Sequence, residues 1–168
     1  MSVIQNILVA LDDGYASMRA VEYIGAFLAG RDDFKIHLFH ALKPLPPQLM
    51  ESPGSEDPSV EQQIERRQAV QQANWRNRAE TQLVPVLEAA KSQIIAANIP
   101  AERIATHILQ LNDRANLVSE IITAAREYRC ETVVVGYNDY PWLTEKFHAH
   151  IVEQLIAQCD RLAVCVVK

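Results

Sequence analysis

Hydrophobic and polar positions follow two rhythms along this chain, and the rhythms take turns. Apolar runs of strand length recur at Ile4 to Leu11 (I-Q-N-I-L-V-A-L), Lys35 to Leu42, Arg103 to Leu111, Thr132 to Val135 and Leu162 to Val167. The first is nearly continuous, as expected of a strand buried on both faces. Between the runs, apolar residues fall at helical spacing. Val21, Ile24 and Leu28 mark a helix to about Ala29, with Ser17 as its candidate cap and Gly30 closing it. A helical stretch spans Ser59 to Asn98; its first half, Glu61 to Gln82, has few apolar residues, and Leu83, Leu87, Ile94 and Ile95 mark the second. Pro85 predicts a kink or a boundary there, because it lacks an N–H and crowds the carbonyl of Thr81. Leu117, Ile121, Ala124, Ala125 and Tyr128 mark a helix that opens at Asn112-Asp113 and extends to Arg129. Ile151, Leu155 and Ile156 mark a last helix over about His150 to Gln158.

The order β-α-β-α-β-α-β-α-β predicts a mostly parallel five-stranded sheet with helices on both faces. Lys43 to Pro58 interrupts it with Pro44, Pro46, Pro47, Pro53 and Pro58, and reads as a loop. Nothing before that loop could fold alone, so residues 1–168 are expected to form a single domain. The 49% hydrophobic content agrees, since it suffices for one full core. A net charge of -5 argues against nucleic acid as a partner. No apolar run approaches a membrane span, and Met1 to Leu11 lacks the basic start of a signal peptide. Cys130, Cys159 and Cys165 form no CxxC pair and read as reduced thiols. The expectation is a cytoplasmic protein.

In doubly wound sheets, ligands bind beyond the carboxyl ends of strands where the strand order reverses. Asp12, Ala41 and Gly136 all fall at such ends. The run Thr132 to Val135, the stop at Gly136, a polar and aromatic loop and a helix near His150 form a strand-turn-helix unit, which is suited to an anion.

The pieces I-L-V-A-L-D (Ile7 to Asp12), L-F-H-A (Leu38 to Ala41), T-V-V-V-G (Thr132 to Gly136) and A-Q-C-D-R-L-A-V-C-V-V (Ala157 to Val167), in this order and spacing, resemble the universal stress protein family over essentially the whole length. The resemblance implies a five-stranded Rossmann-like α/β sandwich and a homodimer joined through the last strand, with Leu162, Val164 and Val166 at the interface. Nucleotide-binding members of that family carry a glycine, two residues, a glycine, nine residues, then Gly-Ser or Gly-Thr. Here Gly136 keeps the first place, Asp139 falls on the second, Ala149 on the third and His150 on the hydroxyl. Asp12 is retained, and Ala41 stands where such members line the adenine pocket. The motif is therefore degenerate. No cofactor is expected. ATP or AMP with Mg²⁺ is the alternative, framed by Asp12 and Gly136 and contacted by Asn138 and His150.

Asp12 and Asp13 could hold Mg²⁺ beside a nucleotide or simply form a turn. They are also the only candidates for a slow phosphohydrolase, which lacks a paired nucleophile and base. His148 and His150, at i and i+2, do not share a helix face, so a metal pair is not expected. His37 and His40 point to opposite faces of the second strand and read as packed core residues. No G-x-S-x-G elbow is present. Arg66, Arg67, Arg76 and Arg78 around Trp75 read as a solvated helix face or a contact for an unknown protein partner. Tyr137, Tyr140 and Trp142 cluster in the loop after Gly136 and are candidates for a contact surface.

Asp139 carries the sharpest consequence. A carboxylate about 4 Å from a phosphate charge costs on the order of 4 kcal/mol at an effective dielectric of about 20. That is roughly a thousandfold in affinity. Asp139→Gly is expected to strengthen ATP binding by up to about that factor. Calorimetry showing no change would mean the crevice is closed for another reason.

Overall fold

The alternating rhythm becomes a parallel sheet in the order β3-β2-β1-β4-β5. The computed structural model describes residues 4–12, 14–51, 53–112, 117–137 and 148–168, with 148–150 described by backbone alone. The strands are β1 (Gln5–Leu11), β2 (Phe34–Leu42), β3 (Ile104–Gln110), β4 (Cys130–Gly136) and β5 (Ala163–Val167). Every pairing is parallel, and β1 lies between β2 and β4. The order reverses there: the chain winds outward through β2 and β3, then returns to β4 beside β1.

Alternate residues of each strand serve opposite faces. Ile7, Val9, Leu11, Ile36, Leu38 and Val134 pack beneath α1 (Tyr15–Leu28) and α3 (Pro58–Ala96). Leu8, Phe39, Val133 and Val135 pack beneath α4 (Leu117–Glu127) and α5 (His148–Gln158). A strand supplying both cores has no room for polar residues, which is why β1 reads as continuous apolar sequence.

Four local features differ from the sequence reading. Ser17 does not cap α1: the helix starts at Tyr15 with Gly14 at the cap position, and Ser17 lies buried in its first turn. The proline-rich segment is not wholly a loop, because Pro47–Met50 forms a short helix, α2. Gln68 and Gln72 of α3 both donate to the Leu49 carbonyl, at 3.0 and 2.7 Å, which lays this segment along α3. Pro85 sets no boundary, and α3 runs through it for 39 residues. Pro85 and Thr81 are both exposed, so water can serve the carbonyl that the proline leaves without a donor. Finally, Gly30 ends α1 in the left-handed region, but Asn98, Arg129 and Arg161 adopt the same conformation without being glycines. For the arginines that conformation costs about 1–2 kcal/mol each.

α3 has two unlike halves. At 1.5 Å per residue its 39 residues span about 58 Å, against about 30 Å for the nine residues of β2. Its buried residues, Leu83, Leu87, Ala90 and Ile94, all lie in the second half. The first half bears the short segment α2 and is otherwise solvated, and Arg66, Arg67, Arg76 and Arg78 are exposed on it as expected. Ile94→Ala, at a fully buried position, is expected to cost about 2–5 kcal/mol, whereas Val70→Ala, at a position 59% exposed, should change stability by less than about 0.5 kcal/mol in urea melts. Equal costs would mean that the first half is packed after all.

Candidate functional site

The reversal of strand order puts the carboxyl ends of β1 and β4 side by side. Asp12 follows one and Gly136 ends the other, and the first turn of α1 joins them. The Asp12 Oδ1 accepts the Gly14 N–H at 2.7 Å and the Ser17 hydroxyl at 2.5 Å. The Asp12 N–H donates back to the Ser17 Oγ at 2.8 Å. This reciprocal pair ties the residue after β1 to the first turn of α1. The carboxylate also stands at the positive end of the α1 dipole.

Gly136 closes the junction from below. A Cβ placed there would fall inside the carbonyl of Ala16 and 2.8 Å from the Ser17 nitrogen. Only a residue without a side chain lets the backbone of α1 come this close. The glycine of the sequence motif thus has a packing reason that involves no ligand.

The other candidates separate. Ala41 is half-buried at the end of β2 and packs on the α4 and α5 face, whereas Gly136 meets α1 on the opposite face. Asn138, Asp139, Tyr140 and Trp142 lie outside the described residues, and so does Asp13. Ala149 and His150 are in the first turn of α5, which carries no acidic residue, and their side chains lie outside the description. Tyr137 turns toward the sheet edge: its N–H donates to the Val167 carbonyl at 2.7 Å, and the Lys168 ammonium stands 5.1 Å from its ring centre. Leu162, Val164 and Val166 sit on or beside the edge strand β5, with Val166 exposed.

The described residues offer little reactive chemistry. Cys130 is buried, and burial pushes its thiol up to about 11, so it is not a thiolate nucleophile. Among the described residues, no cluster of three or more His, Cys, Asp or Glu could hold a metal ion. Also among them, no helix is long and apolar enough to cross a membrane.

Sequence reasoning missed one constellation. His37, read as a packed core histidine, is buried as expected, but its Nδ1 lies 2.9 Å from the Nε2 of His107, with the Tyr128 ring stacked on both. His107 was not singled out because it lies 70 positions away, and only strand register brings it close.

A doubly wound parallel sheet whose strand order reverses between β1 and β4 defines a Rossmann-like α/β domain. The model of the Universal stress protein family matches residues 4–168, and the chain belongs to that family. A solved universal stress protein family member from Burkholderia pseudomallei is 17% identical, with a TM-score of 0.64 over 99% of this chain and 98% of its own. A universal stress protein solved in complex with cAMP is 18% identical, with a TM-score of 0.57 over 99% and 98%. The universal stress protein of Archaeoglobus fulgidus, solved in complex with dAMP, is 13% identical, with a TM-score of 0.56 over the full length of both chains. At such identity these likenesses establish the fold alone. A search of curated proteins found no match.

Gly136→Ala is expected to destabilise the fold by about 1–3 kcal/mol through overpacking on Ala16. Ser17→Ala, which strips the Asp12 N–H of its acceptor, should cost about 1–2 kcal/mol. Wild-type urea midpoints for both variants would show that the junction contributes nothing to stability.

Proposed function

We propose that this protein is a non-catalytic regulatory member of its family that acts as a homodimer through protein contacts and does not hold ATP in the manner of the family's nucleotide-binding members. The observation that carries this reading is the commitment of Asp12. Its Oδ1 is engaged by the Gly14 N–H and the Ser17 hydroxyl, which hold it against the first turn of α1. With Asp139 following Gly136 in sequence, a second carboxylate belongs to the loop where phosphates would have to sit. Two like charges disfavour a triphosphate strongly.

The dimer is proposed to form through β5, an edge strand whose outer side offers backbone hydrogen-bonding groups. Leu162, Val164 and Val166 would meet their own copies across a two-fold axis. The proposed surfaces for a protein partner are the proline-rich segment 43–58 and the Tyr137–Trp142 loop. The three cysteines, free in the structure, fit a cytoplasmic setting.

A second reading, a nucleotide-responsive switch, is favoured by the neighbours solved with cAMP and dAMP. A ligand with one phosphate suits this crevice better than ATP, because it brings less charge toward Asp12 and Asp139. The first turn of α5, free of acidic residues, would face the phosphate. Mg²⁺, if it enters with a nucleotide, would have Asp12 as its protein ligand and the phosphates for the rest.

Calorimetry with ATP, ADP and AMP, with and without Mg²⁺, decides between these readings. No binding up to millimolar concentration, together with a dimer in sedimentation that Val166→Lys dissociates, is the expected result. Micromolar binding of AMP alone would put the switch first. Micromolar ATP would overturn the proposal, and a wild-type monomer at micromolar concentration would remove the dimer.

A further inference from the structure

The three-ring cluster lies outside the crevice, and nothing in the reading above uses it. His37 projects from β2 toward α4, and His107 projects from the edge strand β3 on the same face. Their ring centres are 5.2 Å apart. Tyr128, in the turn after α4, stacks within 3.9 Å of His107 and 5.2 Å of His37. A small cavity of about 60 Å³ opens beside His107, lined also by Phe39, Glu120, Glu127 and Tyr128.

A hydrogen bond between two imidazoles needs one donor and one acceptor, so the pair makes it only while at least one ring is neutral. His37 is only 6% exposed, and its Nε2 is buried without a partner. An orphaned N–H is the costlier vacancy, so at neutral pH His37 carries its proton on Nδ1 and donates it to His107 Nε2. Protonating His107 reverses the bond and forces an N–H onto the buried Nε2 of His37. Protonating both rings puts two hydrogens and two positive charges into a 2.9 Å gap.

We propose that the His37–His107 pair is a proton-operated latch, which ties the edge strand β3 to β2 and the end of α4 at neutral pH and releases that corner in acid.

The surrounding charges agree. From β2 itself, Lys35 opposes protonation of both rings. Near the end of α4, Glu127 favours a proton on His107, and Glu120 lines the same cavity. Tyr128 supplies a phenol whose pKa burial raises, and Cys130 at the start of β4 lies near it as a buried thiol. From β1, the residue level with His37 is Leu8, which does not titrate. Burial first, then His107 and Lys35, hold His37 down to about 4, against 6.5 for a free histidine. A histidine whose pKa falls on folding is protonated first in the opened chain. The stability it contributes is complete above pH 6.5 and drains away as the pH falls from 6.5 toward about 4. Opening is therefore driven by acid, and the corner opens before the sheet because β3 is an edge strand.

Hydrogen–deuterium exchange on the full chain at pH 7.5 and 5.0, corrected for intrinsic rates, tests the latch. In the wild type, exchange of residues 104–110 and 124–130 is expected to accelerate at least tenfold relative to β1 on acidification. His37→Phe keeps a ring in the stack but has no proton to exchange, and His107→Gln keeps an acceptor that cannot titrate. Each variant that remains folded should show a smaller acid step than the wild type, because only one histidine of the pair is left to titrate. Imidazole nitrogen shifts should show a single Nδ1–H on His37 at neutral pH. Uniform exchange across the wild-type sheet at both pH values would overturn the proposal, as would an acid step of wild-type size in both folded variants or two histidines titrating independently near 6.5. The wild-type measurements decide the matter even if both variants fail to fold.

Discussion

One backbone-to-backbone contact organises this molecule. The first turn of α1 rests on the bare Cα of Gly136, so β1, β4 and α1 meet at a distance no side chain would allow. Asp12 and Ser17 then lock the same turn from the β1 side. The contact fixes where α1 begins, hence which of its residues face the sheet, hence how Val21, Ile24 and Leu28 reach Ile7 and Val134. It also stands at the reversal of strand order, where doubly wound sheets keep their ligands. Packing and any binding therefore draw on the same atoms.

That coincidence bears on how Gly136 is read. Gly136 ends β4, and Asp139, Ala149 and His150 follow it in the chain. The steric demand of α1 is reason enough for a glycine there. Its presence therefore does not by itself announce a ligand, and family membership leaves the ligand open.

The order of elements was legible in the sequence because apolar periodicity reports directly on which faces are covered. Strand ends were read to within a residue or two, and Gly30 correctly marked the end of α1. What escaped depended on placement in space. Ser17 looked like a cap because serine before an apolar helix usually is one; it is instead the partner of Asp12 from inside the first turn. The helix α2 was hidden by prolines that signal a loop, yet proline is welcome at a helix start. The Gly136 position was marked by spacing, but its packing reason needed α1 in place. His107 carries no local signal, since only the register of β2 against β3 sets it beside His37.

The long helix α3 leaves one further mark. Because its buried residues, Leu83 to Ile94, all lie in the second half, the core fixes where this helix points without fixing how far it reaches. Whole heptads could be added to or removed from the solvated half with a rotation of only about 20° each, leaving the sheet untouched. The fold thus carries an arm of adjustable reach. The α2 segment rides on that arm through Gln68 and Gln72, so altering the reach would carry a surface feature outward while the junction of β1, β4 and α1 stayed where it is.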